Sequence, residues 1–92
     1  MRVTFDPAAR DDLERISKWI AKDNARAALE MIARIETSVY RLADSELTHM
    51  GHSGTVPGTL EIIVRPYIIV YKVFKTRREI VVLSVVHGAR ER

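Results

Sequence analysis

The apolar positions of this chain follow two different periods in succession. Ala9, Leu13, Ile16 and Ile20 recur at steps of three and four, with Arg10, Asp11, Asp12, Glu14, Arg15 and Lys18 mostly on the other side. That spacing predicts an amphipathic helix from about Pro7 to Ala21. Asp6-Pro7 suits its start, because an Asp carboxylate accepts from free backbone N–H groups and Pro fits the first helical position. Lys22-Asp23-Asn24 is a short polar break with two capping residues. Ala28, Ile32, Ile35, Val39 and Leu42 then form a second stripe, which predicts a helix reaching about Ala43. So short a joint implies an antiparallel helical hairpin. Ahead of both helices, Arg2–Phe5 reads as one short strand.

Asp44–Gly58 holds three glycines and a proline and reads as an irregular loop. Beyond it the composition shifts to β-branched and aromatic residues. Thr59–Val64, Tyr67–Phe74 and Ile80–His87 are predicted strands, parted by Arg65-Pro66 and by Lys75-Thr76-Arg77-Arg78. Short joints make them an antiparallel meander. Ile80–Val86 is apolar except for Ser84, which predicts an inner strand covered on both faces. Pro66 lacks a ladder donor and belongs in the turn. The expected fold is therefore α+β in the order β-α-α-β-β-β, with the helical hairpin packed on one face of a mainly antiparallel sheet. The other face, or its rim, is left for a partner.

Composition narrows the function classes. Ninety-two residues are expected to form one domain over 1–92, and 47% hydrophobic with 29% charged residues is a globular balance. With no cysteine, disulfides and Cys-based zinc sites are excluded. The N-terminal stretch has no apolar signal core and no segment approaches the ~18 apolar residues of a membrane span, so a cytoplasmic protein without a membrane partner is expected. The net charge of +3 is uneven: residues 1–58 carry 8 basic and 9 acidic groups, residues 59–92 carry 7 and 3. The basic half suits nucleic acid or an acidic protein segment, or is ordinary solubilising charge.

Three stretches carry a family likeness. The first is Phe5, Ala9, Asp12-Leu13, Ile16 and Trp19-Ile20. The second runs Met50-Gly51-His52-Ser53-Gly54-Thr55-Val56-Pro57-Gly58-Thr59-Leu60-Glu61. The third is Tyr67-Ile68-Ile69-Val70-Tyr71-Lys72-Val73 followed by Val85-Val86-His87-Gly88-Ala89-Arg90. In this order, over nearly the whole chain, they resemble the ParE/RelE toxin superfamily. The resemblance implies a toxin encoded beside an antitoxin that wraps it, with operator DNA bound through the antitoxin, and no cofactor. RelE-like members are ribosome-dependent RNases that need fixed cations and an acid for phosphodiester cleavage. Their corresponding strand reads roughly Tyr-Arg-Leu-Val-Tyr, whereas here Ile68 stands at the Arg position. The chain is therefore closer to ParE, whose members resemble inhibitors of DNA gyrase and need no catalytic set. Leu60 stands where ParE sequences often carry Arg. A degenerate toxin kept as a binding module is a third reading.

Single residues sort accordingly. If the chain is an RNase, His87, Arg90 and Arg65 are its catalytic candidates; otherwise there is no catalytic residue. Arg65, Lys72, His87, Arg90 and Arg92 are candidates for target or antitoxin contact. His87 is otherwise a strand-end histidine with a satisfied hydrogen bond. Lys75–Arg78 reads as a solvated turn. His49 and His52 read as loop histidines, so no metal site is expected. Trp19 is expected at the core or its boundary, and Tyr67 and Tyr71, on one strand face, under the helices.

Overall fold

The computed structural model describes residues 1–44, 51–54 and 56–88, with His52 described by its backbone alone. The elements are β1 (Arg2–Phe5), α1 (Pro7–Ala21), α2 (Ala25–Arg41), β2 (His52–Ser53), β3 (Leu60–Val64), β4 (Tyr67–Phe74) and β5 (Glu79–His87). The expected α+β order is what forms, with one addition in the loop.

Both helix starts follow from their caps. The Asp6 carboxylate accepts from the Ala8 N–H at 3.2 Å with Pro7 at the first position. The Asn24 side chain accepts from the Ala27 N–H at 3.0 Å. Such caps contribute about 1 kcal/mol each. α2 stops at Arg41, two residues earlier than the stripe suggests, because Leu42 and Ala43 donate to the carbonyls three residues back and tighten the last turn.

The strand order is β1-β5-β4-β3-β2. β1 runs parallel to β5, and the other three pairings are antiparallel. Thus β5 is an inner strand, as expected. Its coverage is not: the helices lie over the side bearing Ile80, Val82 and Val85, while Val81 and Leu83 remain half-exposed. The β-branched run is explained by flanking strands on both edges rather than by layers on both faces. The stretch read as an irregular loop also holds β2, whose two residues pair with Glu61 and Leu60. A two-residue strand is too short to show a period in sequence.

The core lies between α1, α2 and the inner sheet face. It contains Ala9, Ile16, Ile35, Val39, Tyr67, Ile69, Tyr71, Ile80, Val82 and Val85. Tyr67 and Tyr71 pack under the helices as expected, and Tyr71 is 0% exposed. Its hydroxyl accepts from the Gly51 N–H at 3.2 Å. Burial raises the phenol above its ordinary pKa, with the Gly51 bond opposing. A Cβ on Gly51 would lie 2.6 Å from that hydroxyl oxygen, so the approach requires glycine. Trp19 departs from expectation: it is 66% exposed, with the Lys22 ammonium 5.3 Å from its ring centre. One step off the Ile16–Ile20 line is enough to swing the ring outward.

Two polar ties position the sheet. The β4–β5 register shifts between Val70 and Tyr71, so that Ser84 and Val82 face consecutive residues and Leu83 is extra. Beside this bulge the Val85 N–H donates to the Asp12 carboxylate at 2.9 Å, and Arg15 pairs with the same carboxylate. At the other end Glu79 accepts from the Thr4 hydroxyl at 2.7 Å and pairs with Arg77 at 3.1 Å and Arg2 at 3.6 Å. The Thr4 bond, then Arg2 and Arg77, lower its pKa against the opposing effect of desolvation.

Candidate functional site

β3 and α2 enclose a concavity. β3 is paired on one edge with β4, but β2 covers only Leu60 and Glu61 on its other edge. Val64 and Tyr67 close the two-residue turn, so their backbone groups face each other; alternation then points the N–H and C=O of Ile63 away from β4. That edge opens onto a groove of about 630 Å³ lined by Ala33, Arg34, Thr37 and Ser38 of α2 and by Ile63, Val64 and Arg65. A shallower depression of about 500 Å³ continues along the helix past Glu36, Tyr40 and Arg41. Ile63 is 55% and Tyr40 55% exposed, and Leu29, on the same helix face one turn before Ala33, is exposed too. Arg34, Arg41 and Arg65 supply three cations against the carboxylate of Glu36.

The candidates from sequence fall into separate places. Arg65 lies at the groove mouth in the turn whose Arg65-Pro66 peptide is cis. His87 sits at the same end of the sheet. It pairs in register with Tyr67, meets its ring edge-on at 5.6 Å, and the next residue, Gly88, donates its N–H to the Pro66 carbonyl at 2.9 Å. The structure thus brings His87 and Arg65 to the same end of the sheet. Lys72 is five residues along β4, on the order of 17 Å away at strand rise. It points to the outer face, its ammonium 5.5 Å from the Phe74 ring centre. Arg90 and Arg92 lie outside the described residues, as does His49. Among the described residues no His, Asp or Glu cluster is arranged to hold a metal.

Ile68, singled out in the sequence, lies in the middle of the sheet. Its side chain is buried on the outer face, paired in register with Ile63 and Val86, and stands 3.4 Å from where a Gly88 Cβ would be. Among the described residues, its neighbours Ile63, Val86 and Gly88 are apolar.

Sequence reasoning missed the α2 side of the groove. The signal was present: Leu29, Ala33 and Tyr40 form a second stripe of spacing four and seven beside the core stripe. It also placed Asp12 among the outward charges, although its carboxylate holds the β5 bulge.

Comparison with known proteins agrees with this geometry. Residues 3–92 match the family described as the ParE toxin of the type II toxin–antitoxin system parDE. A Sinorhizobium fredii protein named "Putative toxin Y4kP" is 33% identical over 92 residues, covering 98% of this chain and 91% of its own. In the chromosomal ParDE toxin–antitoxin system from P. aeruginosa, a chain of 21% identity superposes with a TM-score of 0.81 over 95% of each chain. A chain of the RelBE2 toxin–antitoxin complex from Mycobacterium tuberculosis superposes at 0.67, with 21% identity over 94% of this chain and 95% of that one. No described helix is long and apolar enough to cross a membrane. The chain belongs to the ParE toxin family and is the toxin of a type II toxin–antitoxin system.

Proposed function

We propose that this toxin is a cytoplasmic one-domain protein that inhibits DNA gyrase by binding it and catalyses no reaction of its own. A cognate antitoxin neutralises it by laying a tail segment in the α2–β3 groove. The observation that carries the first part is the apolar setting of Ile68. The family likeness implies a phosphate-binding cation at that place in an RNase, and among the described residues Ile68 and its register partners Ile63 and Val86 provide none. The groove supports the second part. Its exposed Tyr40, with Leu29 farther along the same helix, suits the apolar anchors of an amphipathic helix, the part of the β3 edge that β2 leaves uncovered among the described residues suits an extended strand, and Arg34, Arg41 and Arg65 suit acidic flanks. The similar solved structures are themselves described as toxin–antitoxin assemblies.

The test is a supercoiling reaction with purified gyrase and relaxed plasmid. The full chain is expected to block supercoiling at near-stoichiometric amounts, and adding the product of the neighbouring short gene is expected to restore it. In cells the same activity produces filamentation with induced DNA repair. Cleavage of mRNA on ribosomes with gyrase untouched would instead assign the chain to the RelE-type nucleases. Absence of any growth effect at good expression would make it a binding module alone.

A further inference from the structure

We propose that the β4–β5 hairpin end is a docking surface for the phosphodiester backbone of a nucleic acid duplex, contacted by the toxin itself. The inference does not depend on gyrase being the target, and it adds a direct contact to the operator binding expected through the antitoxin. Lys75, Arg77 and Arg78 form the turn, Arg2 is paired beside it in register with Glu79, and Lys72 projects from the outer face of β4. Five cations therefore share one end of the sheet with a single described carboxylate among these elements, Glu79. That carboxylate is buried and already engaged by Thr4, Arg77 and Arg2, so it does not project to meet a ligand.

Two observations separate this turn from an ordinary solvated one. Arg78 has φ of 52°, in the left-handed region where glycine or asparagine is the low-cost choice. Its N–H closes the turn onto the Lys75 carbonyl at 3.1 Å, and its carbonyl accepts the Arg2 N–H at 2.9 Å. The backbone there is fixed from both sides, so the exposed Arg78 side chain leaves the turn from a fixed point. The second observation is Phe74, the one large apolar side chain on the outer face at this end. The Arg77 guanidinium lies 4.1 Å and the Lys72 ammonium 5.5 Å from its ring centre. The half-buried ring thus already engages two cations.

These features decide the kind of ligand. Protein interfaces draw their energy from buried apolar anchors, which this surface lacks. Phosphate contacts need only positioned cations, and arginine fits them with paired donors. A ligand read by charge, without stacking, is a duplex backbone rather than a single strand.

The experiment measures binding of the purified full chain to a fluorescent DNA duplex of unrelated sequence, to an RNA duplex, and to single-stranded DNA across a salt series. Binding to duplex is expected with log K falling against log salt at a slope of about −3 to −4, as for about four neutralised phosphates. In the double variant Lys75→Gln, Arg78→Gly the slope is expected to shrink by about 2, with at least about a tenfold loss of affinity at ~50 mM salt. Its melting temperature is expected to equal or exceed the parent's, because glycine relieves the left-handed position, so lost binding cannot be lost folding. A preference for DNA or for RNA names the source of the duplex, and either supports the proposal. It is overturned by no duplex binding at ~50 mM salt, by tighter binding to single strands, or by an unchanged slope in the double variant. Displacement by poly-glutamate at equal charge concentration would assign the surface to an acidic protein and overturn it as well.

Discussion

The two turns that flank β4 are built in opposite ways. The β3–β4 turn is two residues long and tied in: Pro66 accepts from Gly88, Tyr67 and His87 pack edge-on behind it, and Arg65 borders the groove against α2. The β4–β5 turn is four residues long, wholly polar and exposed, and its backbone ties to β1 through the Arg2 N–H on the Arg78 carbonyl. One end of the sheet thus offers apolar surface and, among the described residues, an uncovered strand edge beside a few cations, which suits a polypeptide. The other offers mainly cations, which suits phosphates. A chain of this size buries limited surface, so its recognition features are placed on the ends and rims of a shared core strand.

The strand itself bears the largest expected effect. Tyr71→Ala removes a fully buried ring and is expected to cost about 3–5 kcal/mol in denaturant unfolding. A cost under 1 kcal/mol would mean that β4 is not the common support of the two ends. Next comes the groove. Ile63→Asp puts a charge on its apolar lip and is expected to weaken antitoxin binding by about 30-fold or more, near 2 kcal/mol, with little change in melting temperature. Unchanged affinity would move the antitoxin elsewhere. Asp12→Ala leaves the Val85 N–H at the bulge without its acceptor, and a loss of about 1–3 kcal/mol is expected, read by thermal melting.

The basic end carries a pH dependence. Folding lowers the pKa of Glu79 below its reference value of 4.5. A carboxylate depressed in this way stabilises the fold fully above its unfolded pKa and loses that contribution as pH falls through the folded value. Stability measured between pH 6 and 3, a range of about the usual carboxylate titration, is expected to fall less steeply in Glu79→Gln than in the parent. Equal slopes would show that Thr4, Arg2 and Arg77 do not hold the anion. The smallest expected effect is Arg78→Gly alone, a gain of about 1 kcal/mol or less in stability. A loss there would show that the Arg78 side chain supports the fold.

The two turns also differ in how far the sequence announces them. Pro66 between two β-branched runs fixes the first turn, and the caps Asp6 and Asn24 fix the helix starts, because each rests on local backbone chemistry. Tyr67 and Tyr71 were placed correctly because strand faces alternate strictly. What was not legible depends on distant neighbours. Nothing local in Arg2–Phe5 says that its partner is β5, nor that Leu83 is bulged and held by Asp12. Trp19 shows the limit of a stripe: a residue at its margin is assigned inside or out by the packing of a second element. The groove was half legible, with Arg65 found as a candidate and its α2 wall passed over, since an exposed stripe looks like surface until β3 is set beside it.

The parallel pairing of β1 with β5 joins residues as far apart as Thr4 and Glu79, 75 positions along the chain. During synthesis the first strand emerges long before its partner, and sheet closure waits until residues 79–82 have left the ribosome. An edge whose partner comes last is completed only when the chain is nearly whole, so the binding surfaces that rest on the finished sheet form late.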